Sequence, residues 1–206
     1  MKIIDLSHEI HDNMPVYPGD TVTGLQQIKF LDTDMHNNHR LDINMHAGTH
    51  IDSPMHLTNC RTYISEISPE SFIGEGCVLD VMGQRIINYY KVEYNALVRE
   101  NSIVLLYTGF DEYYGKKEYY ENHPCLDTRF CEFLVRKKVR MVGMDTPSPD
   151  RYPFEIHRML FNNNIYILEN LTNLDKLLNA GRFEVIAFPL KIKADSSITR
   201  AVARVY

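Results

Sequence analysis

The segment from His46 to His56 reads HAGTHIDSPMH and gathers three imidazoles, His46, His50 and His56, with one carboxylate, Asp52. Imidazole nitrogen and carboxylate oxygen are common ligands of Zn, Mn and Fe in hydrolytic and oxidative sites. His46, His50 and Asp52 therefore make a candidate ligand set. A regular helix would put His46 and His50 on one face but turn Asp52 away, and Gly48 and Pro54 disfavour one. A straight strand rises about 3.3 Å per residue, which leaves His46 and His50 roughly 13 Å apart, too far to share an ion. The chain must bend between them. Gly48 is the natural bend, and Pro54 restricts Ser53 to extended geometry at the exit. A turn at Gly48 brings His50 and Asp52 back toward His46, with His56 nearby as an acid or base.

The elements that position this cluster are legible as short apolar runs. KIIDLS reads as a strand, NMPVYPGD as a loop, and TGLQQIKFL and RLDINM as strands leading into the histidines. GCVLDVM, SIVLLYT, VRMVGMD, NIYIL and FEVIAFPL have the length and β-branched content of buried strands. LDTRFCEFLVRKK, with Phe130, Phe133 and Leu134 at helical spacing behind Asp127 or Thr128, predicts a helix. TNLDKLLNAG predicts another, capped by Thr172 and stopped at Gly181. Strands dominate the first half and helices alternate with strands later, so a mixed α/β sheet with helices outside it is expected. DMHNNHR reads as a polar loop with His36 and His39 solvated, and His8, His11 and His123 have no evident partner. GFDEYYGKKEYYENH offers Tyr113, Tyr114, Tyr119 and Tyr120, either as a lid over a flat substrate or, the favoured reading, as a surface helix whose rings cover the core. Tyr17 and Phe110 are the expected pocket walls. Asp145, Thr146 and Ser148 follow a buried strand and either position substrate or shape a turn.

At 206 residues the chain is expected to form a single domain spanning 1–206. A net charge of -5 argues against nucleic acid, whose phosphates call for a basic surface. No signal-peptide core and no run of about 20 apolar residues is present, so no membrane partner is expected. The four cysteines form no CxxC pair, which suits reduced thiols in a cytoplasm.

HAGTHIDSPMH resembles the signature HxGTHxDxPxH of the metal-dependent cyclase and hydrolase family, whose members include bacterial kynurenine formamidases and isatin hydrolases. The likeness extends to DLSHEIHDNMPVYPGD, LLYTG, VGMDTPSPD, HRMLFNNNIYILENLTNLDKL and FPLKIKADSSITRAVA, nearly the whole chain. It implies an α/β fold of the swivelling β/β/α type, a mixed barrel-like sheet with helices packed outside. It also implies that His46, His50 and Asp52 bind one metal, and that Asp52 bridges to a second held by His157 and Glu169. From the residues alone, Glu169 would more simply cap or pair at a strand end. His56 corresponds to the family's general acid and base, and the cofactor implied is a divalent metal, Zn or Mn, one or two ions per chain.

The reaction implied is cleavage of a formamide or cyclic amide C–N bond by metal-bound hydroxide, with His56 protonating the departing nitrogen. The leading activity is arylformamidase, N-formylkynurenine to kynurenine and formate, in tryptophan catabolism. The alternatives are an isatin-type cyclic amide hydrolase, a cyclase or dehydratase acting on a small carbonyl compound, and a non-catalytic binder with a structural metal. A base beside three ligands favours catalysis, because structural sites usually take four protein ligands. A homo-oligomer, dimer or tetramer, is the implied assembly, with the amino-terminal loop completing a neighbour's pocket. Two departures stand out: Tyr17 lies where formamidases of the family usually carry Trp, and ADSSITRAVA replaces a segment richer in Gly and Pro.

Overall fold

The runs richest in aliphatic residues form the centre of the sheet in the computed structural model, which describes residues 1–88 and 92–206. Ile73–Asp80, Ile103–Tyr107, Met141–Met144 and Tyr166–Glu169 lie side by side in that order, all parallel. Strands covered on both faces need apolar side chains at successive positions. Ile103 through Leu106 and Met141 through Met144 meet that need, each residue being buried. Val104, Leu106, Val142, Met144 and Ile167 face one layer, against Phe130, Leu134, Leu160 and Phe161. Ile103, Leu105, Met141 and Leu168 face the other, against Leu171, Leu174, Leu177, Phe183 and Val185. Each such side chain contributes about 1.5–3 kcal/mol on burial.

Antiparallel strands extend the sheet on both sides. Phe183–Ile186, Val202–Val205 and Lys2–Asp5 continue outward from Ile73–Asp80, while His50–Asp52 and then Ser196–Ile198 continue from Tyr166–Glu169. Among the described residues these nine strands make one mixed sheet curled into a half-barrel, the α/β arrangement expected.

The helix expected around Phe130 spans Thr128–Arg136, and the Asp127 side chain accepts the Phe130 N–H at 2.7 Å as its cap. The second expected helix is only a single 3₁₀ turn, Leu174–Leu177. Asn173 ahead of it takes a left-handed backbone, φ 61, and its side-chain amide donates to the Asp5 carbonyl, so the chain folds back toward the sheet instead of winding on. A helix not expected from the sequence, Glu155–Asn162, buries Ile156, His157, Leu160 and Phe161. That spacing is helical and was available in EIHRMLFN. DMHNNHR, expected as a loop, runs into a strand, Asn38–Asp42, paired with Gly24–Lys29 in a separate hairpin; His36 and His39 are exposed on it. The strand expected over RLDINM accordingly ends at Asp42.

Glu169 with Asn170, Asp145 with Ser148, and Thr108 all sit at or just past the carboxyl ends of the parallel strands. Open α/β sheets place ligand clefts at that edge.

Candidate metal centre

Register makes the first contacts. His50 pairs with Glu169 on one side and Ile198 on the other; Asp52 pairs with Ile167 and Ser196. Residues directly opposite in an antiparallel pair share a face with Cβ atoms about 5 Å apart, and alternation returns Asp52 to the face of His50. His50, Asp52 and Glu169 therefore converge although Glu169 is remote in sequence. Gly48 turns the chain with φ +62, and a Cβ there would stand 2.7 Å from Met14 Cε. The turn returns His46, whose Nδ1 lies 2.9 Å from Asp52 Oδ1.

His50 Nδ1 donates to the Gly48 carbonyl at 2.8 Å, which commits that nitrogen and makes Nε2, 3.3 Å from Glu169 Oε2 and 3.4 Å from Asp52 Oδ1, the one open to a cation. His50 Nε2, Asp52 Oδ1 and Glu169 Oε1 are buried and make no well-directed hydrogen bond, only ion-pair contacts with the facing imidazoles and carboxylates. Leaving such groups unsatisfied costs about 1–3 kcal/mol each, more when charged. Donors about 2.1 Å from one tetrahedral ion lie about 3.4 Å apart, so the spacing and the missing hydrogen bonds both fit a divalent cation. His157 Nδ1 donates to Asp150 Oδ1 at 2.5 Å, which turns Nε2 toward Glu169 Oε1 at 3.4 Å. Asp150 also accepts the Ile156 N–H at 2.7 Å, anchoring the helix that carries His157. Two candidate ligand groups result, His50–Asp52–Glu169 and His46–Asp52–His56, with Asp52 common to both.

The electrostatics agree with that picture. Burial disfavours the charged imidazole at His46, yet Asp52 and Asp195 outweigh it and push the group up to about 11. At His157 burial is likewise outweighed by Asp150 and Glu169, raising it to about 9. His50 is also raised, burial being overcome by Asp52 and Glu169. Burial opposes ionisation of Asp52 and Glu169, but the facing imidazoles hold both below the usual carboxylate range. Protons thus gather where a cation would be held.

A cavity of about 200 Å³ opens on these groups, walled by Pro15, Tyr17, Tyr114, Tyr120, Pro147 and Phe154. Tyr17 stands edge-on to Tyr120, ring centroids 5.8 Å apart. Phe110, expected as a wall, is not among the lining residues: its ring stacks on Tyr119 at 6.0 Å and leans on Tyr113 at 4.9 Å, drawn there by aromatic packing. The tyrosine-rich segment divides its work. Tyr119 is buried and donates to Asn170 Oδ1 at 2.9 Å, whereas Tyr114 stacks on His8 at 3.7 Å and faces the cavity with Tyr120. Asp145 shapes a turn, accepting from the Thr108 hydroxyl and the Thr108 and Gly109 N–H groups, while Ser148 lines the cavity.

Sequence reasoning passed over Asp195, Asp150 and Phe154. Asp195 Oδ2 accepts from His56 Nδ1 at 2.9 Å and His46 Nε2 at 3.1 Å. Nothing local in ADSS points to that. Asp150, within VGMDTPSPD, gave a weaker hint as an acid seven residues before His157.

The family model described as "Putative cyclase" matches residues 4–151. A kynurenine formamidase of Bacillus cereus (strain ATCC 14579) is 31% identical over 207 residues, covering 98% of this chain and 96% of that protein. Among solved structures, isatin hydrolase A from Labrenzia aggregata, bound to benzyl benzoate, superposes with a TM-score of 0.87 at 24% identity, over 99% of this chain and 93% of that one. A potential metal-dependent hydrolase with cyclase activity superposes with a TM-score of 0.76 at 24% identity, over 98% and 96% of the two chains.

Proposed function

Since this chain belongs to the Cyclase family, we propose that it is a metal-dependent amide hydrolase acting on an arylformamide, with N-formylkynurenine cleaved to kynurenine and formate. One observation carries the reading: three buried ligand atoms, His50 Nε2, Asp52 Oδ1 and Glu169 Oε1, converge without well-directed hydrogen bonds beside an aromatic cavity that also holds His56. His46, His50, Asp52, His157 and Glu169 would hold one or two divalent ions, and mixed nitrogen and oxygen donors suit Zn or Mn. A bound divalent metal supplies acidification of water and polarisation of a carbonyl.

The chain's own residues supply the rest. With His56 Nδ1 donating to Asp195, the ring keeps its lone pair at Nε2. There it takes a proton from the attacking water and returns it to the departing nitrogen. Tyr17, Tyr114, Tyr120 and Phe154 offer flat faces that orient an aromatic ring and exclude water. The likeness to isatin hydrolase A supports a runner-up substrate, a cyclic amide opened by the same groups without loss of formate. The four unpaired cysteines support a cytoplasmic setting. The hairpin of Gly24–Lys29 and Asn38–Asp42, with Ile28, Phe30, Leu31, Met35 and Leu41 exposed, supports a homodimer or tetramer.

The test is formate release from N-formylkynurenine by Zn- or Mn-loaded protein, beside a chelated sample and His56→Ala. Chelator-sensitive release at about 1–1000 per second supports the assignment. His56→Ala should retain its metal and lose about 100-fold or more in turnover. If metal leaves with the histidine, His56 is a ligand. Metal retention without formate release moves the substrate to cyclic amides.

A further inference from the structure

We infer that Asp195 is the positioning residue of this centre, one carboxylate oxygen deciding which ring nitrogen stays free on both His46 and His56. The inference rests on the reading of His46 as a ligand and His56 as the acid–base group. A carboxylate accepts only, so the contacts to Asp195 Oδ2 place a proton on His56 Nδ1, 2.9 Å away, and on His46 Nε2, 3.1 Å away. The lone pair left free is then that of His56 Nε2, and His46 Nδ1 is the nitrogen a cation would take in place of its proton. His46 Nδ1 is the atom that faces Asp52, at 2.9 Å.

The same rule runs through the centre. His50 has its Nδ1 on the Gly48 carbonyl, and His157 has its Nδ1 on Asp150. Each imidazole has one nitrogen committed to an acceptor, which sets ring orientation and tautomer. Asp195 alone among these acceptors serves two rings.

Asp195 is itself firmly held. Its backbone carbonyl accepts the Ser53 N–H at 3.1 Å and the Ser53 hydroxyl at 2.7 Å. The next residue, Ser196, pairs with Asp52 across the strands, and its hydroxyl lies 3.0 Å from His46 Nε2. The edge strand Ser196–Ile198 thus presses Asp195 against the loop that carries His46, Asp52 and His56. No charge burial is required, because the Asp195 side chain is 35% exposed. Its contribution is directional.

The test compares wild type with the isosteric Asp195→Asn, with His56→Ala and with the double variant. Ring-nitrogen NMR shifts are recorded on zinc-loaded protein and on metal-free protein over a pH series, so that the tautomer of each neutral ring is read directly. The His56 result therefore stands whether or not zinc binds. Arylformamide hydrolysis is followed at saturating metal. In wild type His56 should be the Nδ1–H tautomer, and in Asp195→Asn, whose amide can donate to Nδ1, it should be mainly the Nε2–H tautomer. Turnover should fall about 100-fold with KM changed less than about 3-fold, since the wrong tautomer disables the base without altering substrate contacts. Adding Asp195→Asn to His56→Ala should cost less than about 2-fold more, as expected of residues acting as a unit. An unchanged His56 tautomer in Asp195→Asn, or multiplicative losses in the double variant, would overturn the inference. Failure of the metal-site reading shows separately, as wild type that binds no metal, and failure of the arylformamide reading as wild type that binds metal but releases no formate.

Discussion

At the scale of single residues, the centre is a contest between protons and a cation for the same atoms. In the metal-free chain His46 and His157 are raised to about 11 and about 9 by carboxylates that overcome burial, and both would be protonated at neutral pH. Metal requires neutral imidazole, so loading must release protons and affinity must climb with pH through the neutral range. Calorimetry in two buffers of different ionisation heat should show about one proton or more released per chain at pH 7; none released would contradict these pairings. For stability the sign is the reverse. Raised histidines stabilise the metal-free fold fully below their unfolded pKa of about 6.5, and that contribution is lost as pH rises toward 9 and above. The depressed Asp52 and Glu169 contribute stability above about pH 4–5 that is lost on acidification. Gly48 is the other decisive residue. Gly48→Ala must place a Cβ at φ +62 and 2.7 Å from Met14 Cε, so the turn shifts. Metal affinity should drop about 10-fold or more, with a loss of about 1–3 kcal/mol in stability, checked by metal titration and urea unfolding.

At the scale of elements, strand ends and one helix hold the site, and buried carboxylates secure two of them, Asp145 at the end of Met141–Met144 and Asp150 at the start of Glu155–Asn162. Asp145 binds the Thr108–Gly109 turn to the end of Met141–Met144, and that turn leads into the segment bearing Tyr114 and Tyr120. Asp145→Ala strands these donors in the interior and should cost about 2–4 kcal/mol, read as a lowered Tm. The same variant should raise KM more than it lowers kcat, because the cavity wall loosens while the ligands stay on other strands. Glu169→Gln acts on the neighbouring strand. It removes a charge facing both His50 and His157, and it should weaken metal binding while leaving the sheet intact, as measured by metal content after dialysis and by circular dichroism. Unchanged metal content would remove Glu169 from the ligand set.

Over the whole molecule, the ligands come from the amino-terminal third, from the Glu155–Asn162 helix and from Tyr166–Glu169, so an ion joins parts of the sheet remote in the chain. Metal bound only by the folded state should stabilise it by about 2.7 kcal/mol at a hundredfold excess over Kd. A chelated sample should therefore melt several degrees lower, and the difference should grow with free metal concentration. A Tm indifferent to metal would argue that no tight site exists. The exposed hairpin offers a second whole-molecule test: Phe30→Asp with Leu31→Asp should lower the mass seen by light scattering if that arm joins copies of the chain.

The sequence by itself determined the chemistry of the ligand loop and the need for a bend at Gly48, because residue types and backbone preferences are local properties. It also marked the central strands, since burial on both faces forces continuous apolar runs such as Ile103–Leu106. Only the tertiary structure decided that Glu169 stands opposite His50, that Asp195 reaches His46 across 149 positions of chain, and that Phe110 packs behind the cavity wall rather than in it. Those outcomes follow from strand register and from competition among aromatic rings for one packed layer. Register is set by all the strands together, and no local stretch encodes it.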